Sequence, residues 1–206
     1  MMSFFISSLV NIFFNYERRQ WFVSKMDSFR SFWLKSRFKK IGKNFRIGKI
    51  GRLKGLKYIE IGSNTVFQDF FYLTVWATGY VATSEKKPSL KIGDACNFGA
   101  FGHITCSNEI RIGNNCLFGK NVTITDNSHG NIDVDSLNKV PIARQVYSKG
   151  PVVIEDNVWI GDKATVLPNV HIGKNSIIGA NSVVTHDVPA NTVVGGNPAK
   201  VLKTLR

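Results

Sequence analysis

Residues 154–195 read IEDNVW-IGDKAT-VLPNVH-IGKNSI-IGANSV-VTHDVP-ANTVVG when the chain is divided into groups of six. The first six groups all open with isoleucine or valine, and their fifth place holds a small or β-branched residue. A helix would repeat roughly every 3.6 residues and a strand roughly every 2, so neither explains this pattern. A period of six predicts a parallel β-helix, an all-β solenoid in which each group forms one flat side of a coil. We expect the opening residue to point inward and the fifth to lie at a corner.

Looser runs of the same pattern precede this stretch. Groups of six begin at Ile41 and restart at Ile61, Ile92 and Ile112, and they are interrupted over residues 74–90 and 126–150. Because a long loop inside a compact repeat is usually functional, the polar segment 126–150 is a candidate for part of a site. The predicted organisation is a basic amphipathic helical segment over 1–40, a β-helix over 41–197 with the loop 126–150 protruding, and a C-terminal tail or short helix over 198–206.

The cysteines and the N-terminus indicate a cytoplasmic protein. The three cysteines, Cys96, Cys106 and Cys116, have no paired spacing, which argues for a reducing compartment. Cys96 and Cys116 occupy the fifth place of a group, so we expect them to be small buried corner residues rather than nucleophiles. No apolar run is long enough to span a bilayer, and the N-terminus has no basic residue ahead of its apolar stretch, which is atypical of a secretory signal.

The positive charge is concentrated near the N-terminus. The net charge is +13, and residues 17–57 hold fourteen Lys and Arg against Glu17 and Asp27, which leaves +12 in that stretch. Apolar residues recur there and upstream at helical spacing, namely Phe5, Leu9, Ile12, Tyr16, Phe22, Met26, Phe29 and Trp33. Two interpretations stay open: the helices cap the first coil or help subunits assemble, or they lie on the anionic inner face of a membrane. No recognised nucleic-acid module accompanies the charge, so nucleic acid is not an expected partner.

The motif TITDNSHG, residues 123–130, lies where the chain leaves the β-helix for the long loop. Histidine titrates near neutral pH, so His129 is able to take a proton from a hydroxyl and return it later. By spacing alone this is a weak indication, because a single histidine in a polar loop is usually just a solvated residue. Asp126 or the Asn127 amide is placed to orient the imidazole, or both residues cap the turn of the loop.

These residues carry a resemblance to a known family. TITDNSHG and the run VWIGDKATVLPNVHIGKNSIIGANSVVTHDVPANTVVGGNPAKVLK, residues 158–203, resemble the hexapeptide-repeat acyltransferases, in particular surface-polysaccharide O-acetyltransferases and maltose and galactoside acetyltransferases. The resemblance spans roughly residues 41–203. It implies a left-handed β-helix, a handedness that the period alone does not give. It also implies a homotrimer with sites between subunits, acetyl-CoA as the acyl donor, and no metal.

The resemblance further assigns residues to roles. It makes His129 the general base that deprotonates a sugar hydroxyl, with Asp126 as its candidate partner. Positions that match the family's coenzyme groove are Trp159, Asp162, Gly179, Ala180, Thr185, Lys200 and Lys203. Lys200 and Lys203 match basic positions that meet the coenzyme phosphates, whereas His186 stands where relatives often carry lysine. Asn127, Phe101 and His103 are the substrate-binding candidates, and Gly99 replaces an asparagine that holds the acceptor in sugar-specific relatives.

The predicted function is therefore acetyl transfer to a sugar hydroxyl of a surface polysaccharide or its precursor. Transfer to an amino sugar or to a xenobiotic hydroxyl remains an alternative, and so does a non-catalytic β-helix scaffold. A γ-class carbonic anhydrase would share the fold but needs three histidine ligands on zinc. No second histidine closely follows His129, so this class is not expected.

Overall fold

The computed structural model describes residues 15–77 and 87–205, and its main body is a left-handed parallel β-helix with three faces. The predicted fold class is thus confirmed. The first face stacks β1 (Lys40–Ile41), β4 (Ile59–Ile61), β7 (Ser89–Ile92), β10 (Glu109–Ile112), β15 (Val152–Ile154) and β18 (His171–Ile172). The second face stacks β2 (Arg46–Ile47), β5 (Val66–Phe67), β8 (Asn97–Phe98), β11 (Leu117–Phe118), β16 (Trp159–Ile160), β19 (Ile177–Ile178), β21 (Thr192–Gly196) and β22 (Ala199–Thr204). The third face stacks β3 (Ile50–Lys54), β6 (Phe71–Val75), β9 (His103–Cys106), β12 (Thr123–Thr125), β17 (Thr165–Val166) and β20 (Val183–Val184).

The core follows the period of six. The predicted openers are buried inside the coils, and the fifth-place residues fill the corners, including Cys96 and Cys116. On the second face, the rings of Phe67, Phe98 and Phe118 form a column, with adjacent centroids 4.4 and 4.3 Å apart. The same inward column continues upward with the smaller side chains of Ile160 and Ile178.

Asparagine side chains shape many of the corners. The fourth residue of a group adopts a left-handed backbone, with φ of 60° at Asn157 and at Asn175. Asparagine tolerates this region better than other non-glycine residues do. The Asn157 amide also donates to Asn175 Oδ1 at 3.2 Å, and the Asn175 amide donates to Asn191 Oδ1 at 2.9 Å, so the corners of successive coils are joined by side chains.

The long loop leaves the edge between the third and first faces. It contains β13 (Ser128–His129), α2 (Val134–Leu137), a 3-10 turn (Pro141–Ala143) and β14 (Val146–Tyr147). After the loop, Ile154 pairs in register with Ile112, so the coils stack as if no residues intervened. The loop, expected from the sequence to be polar, exposes large aliphatic side chains, among them Ile132 at 81% and Ile142 at 83%.

One long helix, α1 (Tyr16–Lys35), packs on β2 of the first coil. The Asn15 side chain caps its start by accepting the amides of Glu17 and Arg18 at 2.9 and 3.2 Å. The predicted helical positions Phe5, Leu9 and Ile12 lie outside the described residues. A second 3-10 turn (Leu56–Tyr58) follows β3.

The C-terminal residues form a strand where the sequence suggested a tail or a short helix. A cis peptide bond joins Asn197 to Pro198, and β22 then runs antiparallel to β21. The chain thus reverses direction after β21, and β22 covers the free edge that this last strand of the second face would otherwise expose.

Candidate active site

His129 is presented by a hairpin at the edge between the third and first faces. It lies in β13, which pairs antiparallel with β14 so that His129 is opposite Val146. The next residue, Gly130, has φ of 85° and its amide donates to the Gln145 carbonyl at 2.8 Å, which closes the hairpin. The His129 side chain is exposed. The sequence therefore places an accessible imidazole on a braced hairpin rather than on a loose loop.

Asp126, the other catalytic candidate, is completely buried beneath this hairpin. Its carboxylate accepts the main-chain amides of Ser107 and Asn108, each at 2.8 Å, and the Asn127 side-chain amide at 2.9 Å. A longer bond from the Ser107 hydroxyl measures 3.4 Å. These contacts match the turn-capping alternative, because they fasten the start of the loop to the preceding coil.

Asn127 braces the same turn. Its side-chain amide donates to the Thr105 carbonyl at 3.1 Å as well as to Asp126. The Thr125 hydroxyl donates to the Asn127 carbonyl at 2.8 Å and accepts the Asn127 amide at 3.1 Å. Both Asp126 and Asn127 thus hold the segment that carries His129.

The outward side of the third face adjoins this loop. His103 lies there one coil before the loop, in register with Tyr72 on one side and Thr123 on the other. Burial lowers the pKa of His103 below its ordinary value, because the surroundings disfavour the charged ring. A neutral imidazole is suited to hydrogen bonding with an uncharged hydroxyl, since one ring nitrogen donates and the other accepts.

Two phenylalanines at the edge between the second and third faces depart from the asparagine pattern. Phe70 and Phe101 have φ of 59° and 60°, and their rings stack with centroids 5.3 Å apart. A bulky residue in this region of φ is unusual, and such conformations cluster at functional sites. Phe101 was a sequence candidate, whereas Phe70 and Tyr72 were missed. The signal was the phenylalanine in the fourth place of FQDFFY and FGAFGH, where most other groups of six carry asparagine.

Four of the coenzyme candidates lie together near that same edge, on later coils. Trp159 in β16 is half exposed on the second face, and Asp162 accepts the Lys120 amide at 2.9 Å at the adjoining corner. Gly179 and Ala180 occupy the corner one coil further on. A methyl group on Gly179 would come no closer than 3.3 Å to its nearest neighbour, the Val194 carbonyl, so packing constrains this glycine less than it does Gly161, where the closest approach would be 2.7 Å.

The other coenzyme candidates lie in two separate places, Lys200 and Lys203 on the second face and Thr185 at a different edge. Lys200 and Lys203 lie on β22 at the end of the second face, opposite Gly195 and Val193, and both are exposed. Thr185 lies at the edge between the third and first faces, where its hydroxyl and His186 Nδ1 are 2.8 Å apart. Thr185, His186, His171 and Asp187 line an open cleft of about 580 Å³. One chain thus brings Trp159, Asp162, Gly179 and Ala180 together but keeps them a whole face away from Thr185 and His129.

The histidines are spread over different parts of the molecule. His171 Nε2 lies 2.9 Å from Glu155 Oε1 on the first face, while His103 and His129 lie on the third face and the loop. Within residues 15–77 and 87–205, no group of three His, Cys, Asp or Glu side chains is placed to hold a metal ion.

Comparisons with known proteins agree with the coiled fold. Family models match at two places, a bacterial transferase hexapeptide model of six repeats over residues 151–186 and a hexapeptide repeat of succinyl-transferase over residues 109–129. Over these residues the chain is similar to the hexapeptide repeats of bacterial transferases, in agreement with the coils of the structure.

Two curated relatives carry the comparison further. An Escherichia coli protein, WbbJ, whose name assigns it to lipopolysaccharide biosynthesis as an O-acetyl transferase, is 39% identical over 104 residues, 49% of this chain and 53% of the relative. A galactoside O-acetyltransferase of Lactococcus lactis is 34% identical over 153 residues, 72% of this chain and 64% of the relative. The chain thus spans between about half and two thirds of these relatives.

A solved structure has the same overall fold. The hexapeptide-repeat acetyltransferase VCA0836 of Vibrio cholerae is 25% identical with a TM-score of 0.60, covering 87% of this chain and 81% of that one. A second structure of the same protein, in complex with acetyl coenzyme A, gives a TM-score of 0.50, 25% identity and coverages of 84% and 74%.

Proposed function

We propose that this protein is an acetyl-CoA-dependent O-acetyltransferase that acts on a sugar hydroxyl of a surface polysaccharide or its precursor. The observation that carries the proposal is the exposed imidazole of His129, on a hairpin anchored by the buried Asp126. The names of the two O-acetyltransferase relatives and the acetyl coenzyme A in the Vibrio structure support the reaction class.

In the proposed reaction His129 accepts the proton of a sugar hydroxyl as its oxygen attacks the thioester carbonyl of acetyl-CoA. Main-chain N–H groups of an adjoining coil would stabilise the oxyanion. The carbon–sulfur bond then breaks, the imidazolium returns its proton to sulfur, and the acetyl ester and free CoA leave. Asp126 and Asn127 act as positioning residues, because their hydrogen bonds fix the turn before His129.

The complete site in this proposal needs two copies of the chain. Within one chain the third face separates His129 from Trp159 and Ala180, so the acceptor side and much of the donor side point in different directions. A homotrimer would place the edge that carries His129 against the edge that carries Trp159 in a neighbouring copy. Trimerisation would thereby turn two half-sites into one.

The donor residues suit a long ligand that lies along the coils. Gly179 leaves room for the amides of a pantetheine arm to approach the main chain, since it carries no side chain. The exposed Lys200 and Lys203 offer charges for the coenzyme phosphates. Thr185 and its cleft would receive the adenine end.

The acceptor would lie on the third face. His103 offers a neutral ring, and Phe101 offers an exposed apolar edge for the ring of a sugar. Cys96, Cys106 and Cys116 are all buried and unpaired, which supports a cytoplasmic location where acetyl-CoA is available.

The test combines a binding and a turnover measurement. Acetyl-CoA or free CoA at ~100 times its dissociation constant should raise the free energy of unfolding by roughly 2.7 kcal/mol, which a thermal melt detects. His129→Ala and His129→Gln should keep this stabilisation and lose turnover. Lys139→Ala, an exposed change on the same loop, is the matched control and should keep both. Turnover by His129→Ala would remove His129 as the base, and a folded trimer that ignores CoA would favour the scaffold alternative.

A further inference from the structure

The helix α1 turns a mixed side, of polar and small apolar residues with Leu34, toward the β-helix. The side chains that face the coils recur at helical spacing, and they are Val23, Ser24, Asp27, Arg30, Ser31 and Leu34. Ser31 Oγ accepts the Ile47 amide at 2.9 Å and donates to the Asp27 carbonyl at 2.6 Å, while Arg30 pairs with Asp27 and donates to the Ile47 carbonyl at 3.3 Å. The helix is therefore attached by hydrogen bonds to Ile47 and by the buried side chain of Leu34.

The opposite side of α1 is exposed and carries most of the large apolar side chains of the helix. It carries Trp21, Phe22, Met26, Phe29, Phe32 and Trp33, and the exposed fraction reaches 67% at Phe29 and 79% at Phe32. Exposed aromatic residues gathered on one face mark an interaction surface, because monomeric proteins rarely expose contiguous apolar patches of this kind. We call these six residues the aromatic face of α1.

Cations accompany the aromatic face. Lys25 Nζ lies 5.5 Å from the ring centroid of Trp21, and the Arg37 guanidinium lies 4.4 Å from that of Trp33. Arg18, Arg19 and Lys35 are exposed on the same helix. Of the two acidic residues of α1, Asp27 is turned inward against Arg30 and Glu17 lies at the first turn. The surface that surrounds the aromatic face is thus almost purely cationic.

We propose that the aromatic face of α1 binds the surface of an anionic lipid bilayer. Tryptophan and phenylalanine would enter the boundary between headgroups and acyl chains, and Arg18, Lys25 and Arg37 would meet lipid phosphates. Among the described helices, none has the length and apolar character to cross a bilayer, so α1 lies on the surface. The concentration of charge is complementary to this partner, since residues 17–57 hold nearly the whole net charge of the chain.

The charge also favours a bilayer over a second copy of the same face. A symmetric pair of aromatic faces would bring two cationic surfaces together, with Glu17 as the one outward carboxylate that each α1 offers against Arg18, Arg19, Lys25 and Lys35. An anionic membrane neutralises these cations and covers the rings together.

Docking would set the height of the active site above the membrane. The second face stacks in the order β2-β5-β8-β11, and α1 contacts β2, so three coil steps separate the helix from the coil that precedes His129. At the strand spacing of a sheet this is roughly 15 Å. Together with the proposed function, this geometry suits an acceptor glycan that is attached to a lipid.

The test is flotation of the full-length protein with vesicles. The protein should float with vesicles of phosphatidylglycerol and phosphatidylethanolamine at physiological ionic strength and stay behind with pure phosphatidylcholine. The double variant Phe29→Ser, Phe32→Ser should lose most of this binding, and Arg18→Gln with Lys25→Gln should weaken it roughly 30-fold, about fivefold per charge. The matched control is Ile132→Ser with Ile142→Ser, which removes equally exposed apolar groups from the loop and should bind as the parent does.

Four results would overturn the proposal. The first is a parent protein that ignores anionic vesicles, and the second is full binding by the Phe29/Phe32 variant. The third is a lower molecular mass of that variant than of the parent in light scattering without lipid, which would show that the aromatic face binds a second copy of the chain. The fourth is loss of binding when residues 2–14 are deleted and α1 is kept, which would move the docking site to that segment. Acetyl transfer to a soluble acceptor should be the same in the Phe29/Phe32 variant and the parent, so a failed membrane proposal leaves the proposed function testable.

Discussion

The buried carboxylate of Asp126 accepts the main-chain amide of Ser107 at 2.8 Å, across nineteen positions of the chain. This bond and its twin to Asn108 fasten the loop to the coil below. These two bonds therefore help to fix the position of the His129 imidazole, three residues later in the chain. Asp126, with Asn127 beside it, therefore fixes the start of the loop to the coil below.

Replacing Asp126 with alanine should destabilise the protein and slow turnover together. Each buried amide left without an acceptor costs ~1–3 kcal/mol, so the free energy of unfolding measured in denaturant should fall by at least that amount. Asp126→Asn keeps an acceptor oxygen and should lose less of both stability and activity. A stable Asp126→Asn protein with the activity of the alanine variant would instead show that the charge acts on the imidazole.

Gly161→Ala and Gly179→Ala should separate packing from ligand binding. The new methyl group at Gly161 would lie 2.7 Å from the Ala180 amide nitrogen, so the corner must shift and stability should fall by about 1–3 kcal/mol. At Gly179 the nearest atom would be 3.3 Å away, so the loss of stability should be smaller. If pantetheine lies there, Gly179→Ala should raise KM for acetyl-CoA several-fold. An unchanged KM would remove Gly179 from the donor groove.

Glu155 should contribute stability that depends on pH. The Lys174 amide at 2.8 Å, followed by His171, lowers the pKa of Glu155 below its ordinary value of 4.5. The folded state therefore favours the ionised form, and the contribution is present above that value and lost as pH falls through the lower, folded pKa.

Glu155→Gln should accordingly lower the melting temperature at pH 7. The difference from the parent should shrink below about pH 4.5. Glu109→Gln, whose partner Arg111 lies 3.7 Å away, is the control and should show a smaller difference. A gap between parent and Glu155→Gln that stays constant down to pH 3 would contradict the assignment.

The cysteines should be inert in the folded protein. Burial raises the pKa of the Cys106 thiol, and the nearby Asp126 adds to the effect, so little of the reactive thiolate forms. A thiol reagent should modify none of the three cysteines before unfolding and all of them in denaturant. Activity should survive treatment with iodoacetamide. Rapid inactivation would indicate a thiol nucleophile in place of the histidine base.

The features that the sequence predicted correctly are those set by the repeat of six, namely which residues point inward and which lie at corners. The openers from Ile154 to Val184 and the corner residues Cys96 and Cys116 are set by one repeating rule of inward and corner positions. The sequence suggested a tail or a short helix where the structure has β22. The pairing of β22 with β21 depends on a chain reversal near Pro198, and the repeat pattern gives no sign of this reversal.

Long-range bonds explain the remaining differences. The sequence left open whether the aromatic stripe of α1 packs on the coils or lies on a membrane; in the structure Ser31 bonds to Ile47, so the side that carries Ser31 faces the coils. The motif left open whether Asp126 orients His129 or caps the turn, and its carboxylate accepts the amides of Ser107 and Asn108 on the previous coil. Neither pairing has a local pattern in the sequence.

The column of Phe67, Phe98 and Phe118 bears on how the chain finds its alignment. Coils built by a single rule resemble one another, so a strand that slips by one whole coil would still match inward with inward. If the strands shifted by one coil, Phe118 would occupy the inward position of Ile160, where its ring is too large. The layer that Phe118 leaves would then contain a void. The change from phenylalanine to isoleucine along the inward column thus distinguishes one coil from the next. It makes the native stacking of the coils more stable than a stacking shifted by one coil.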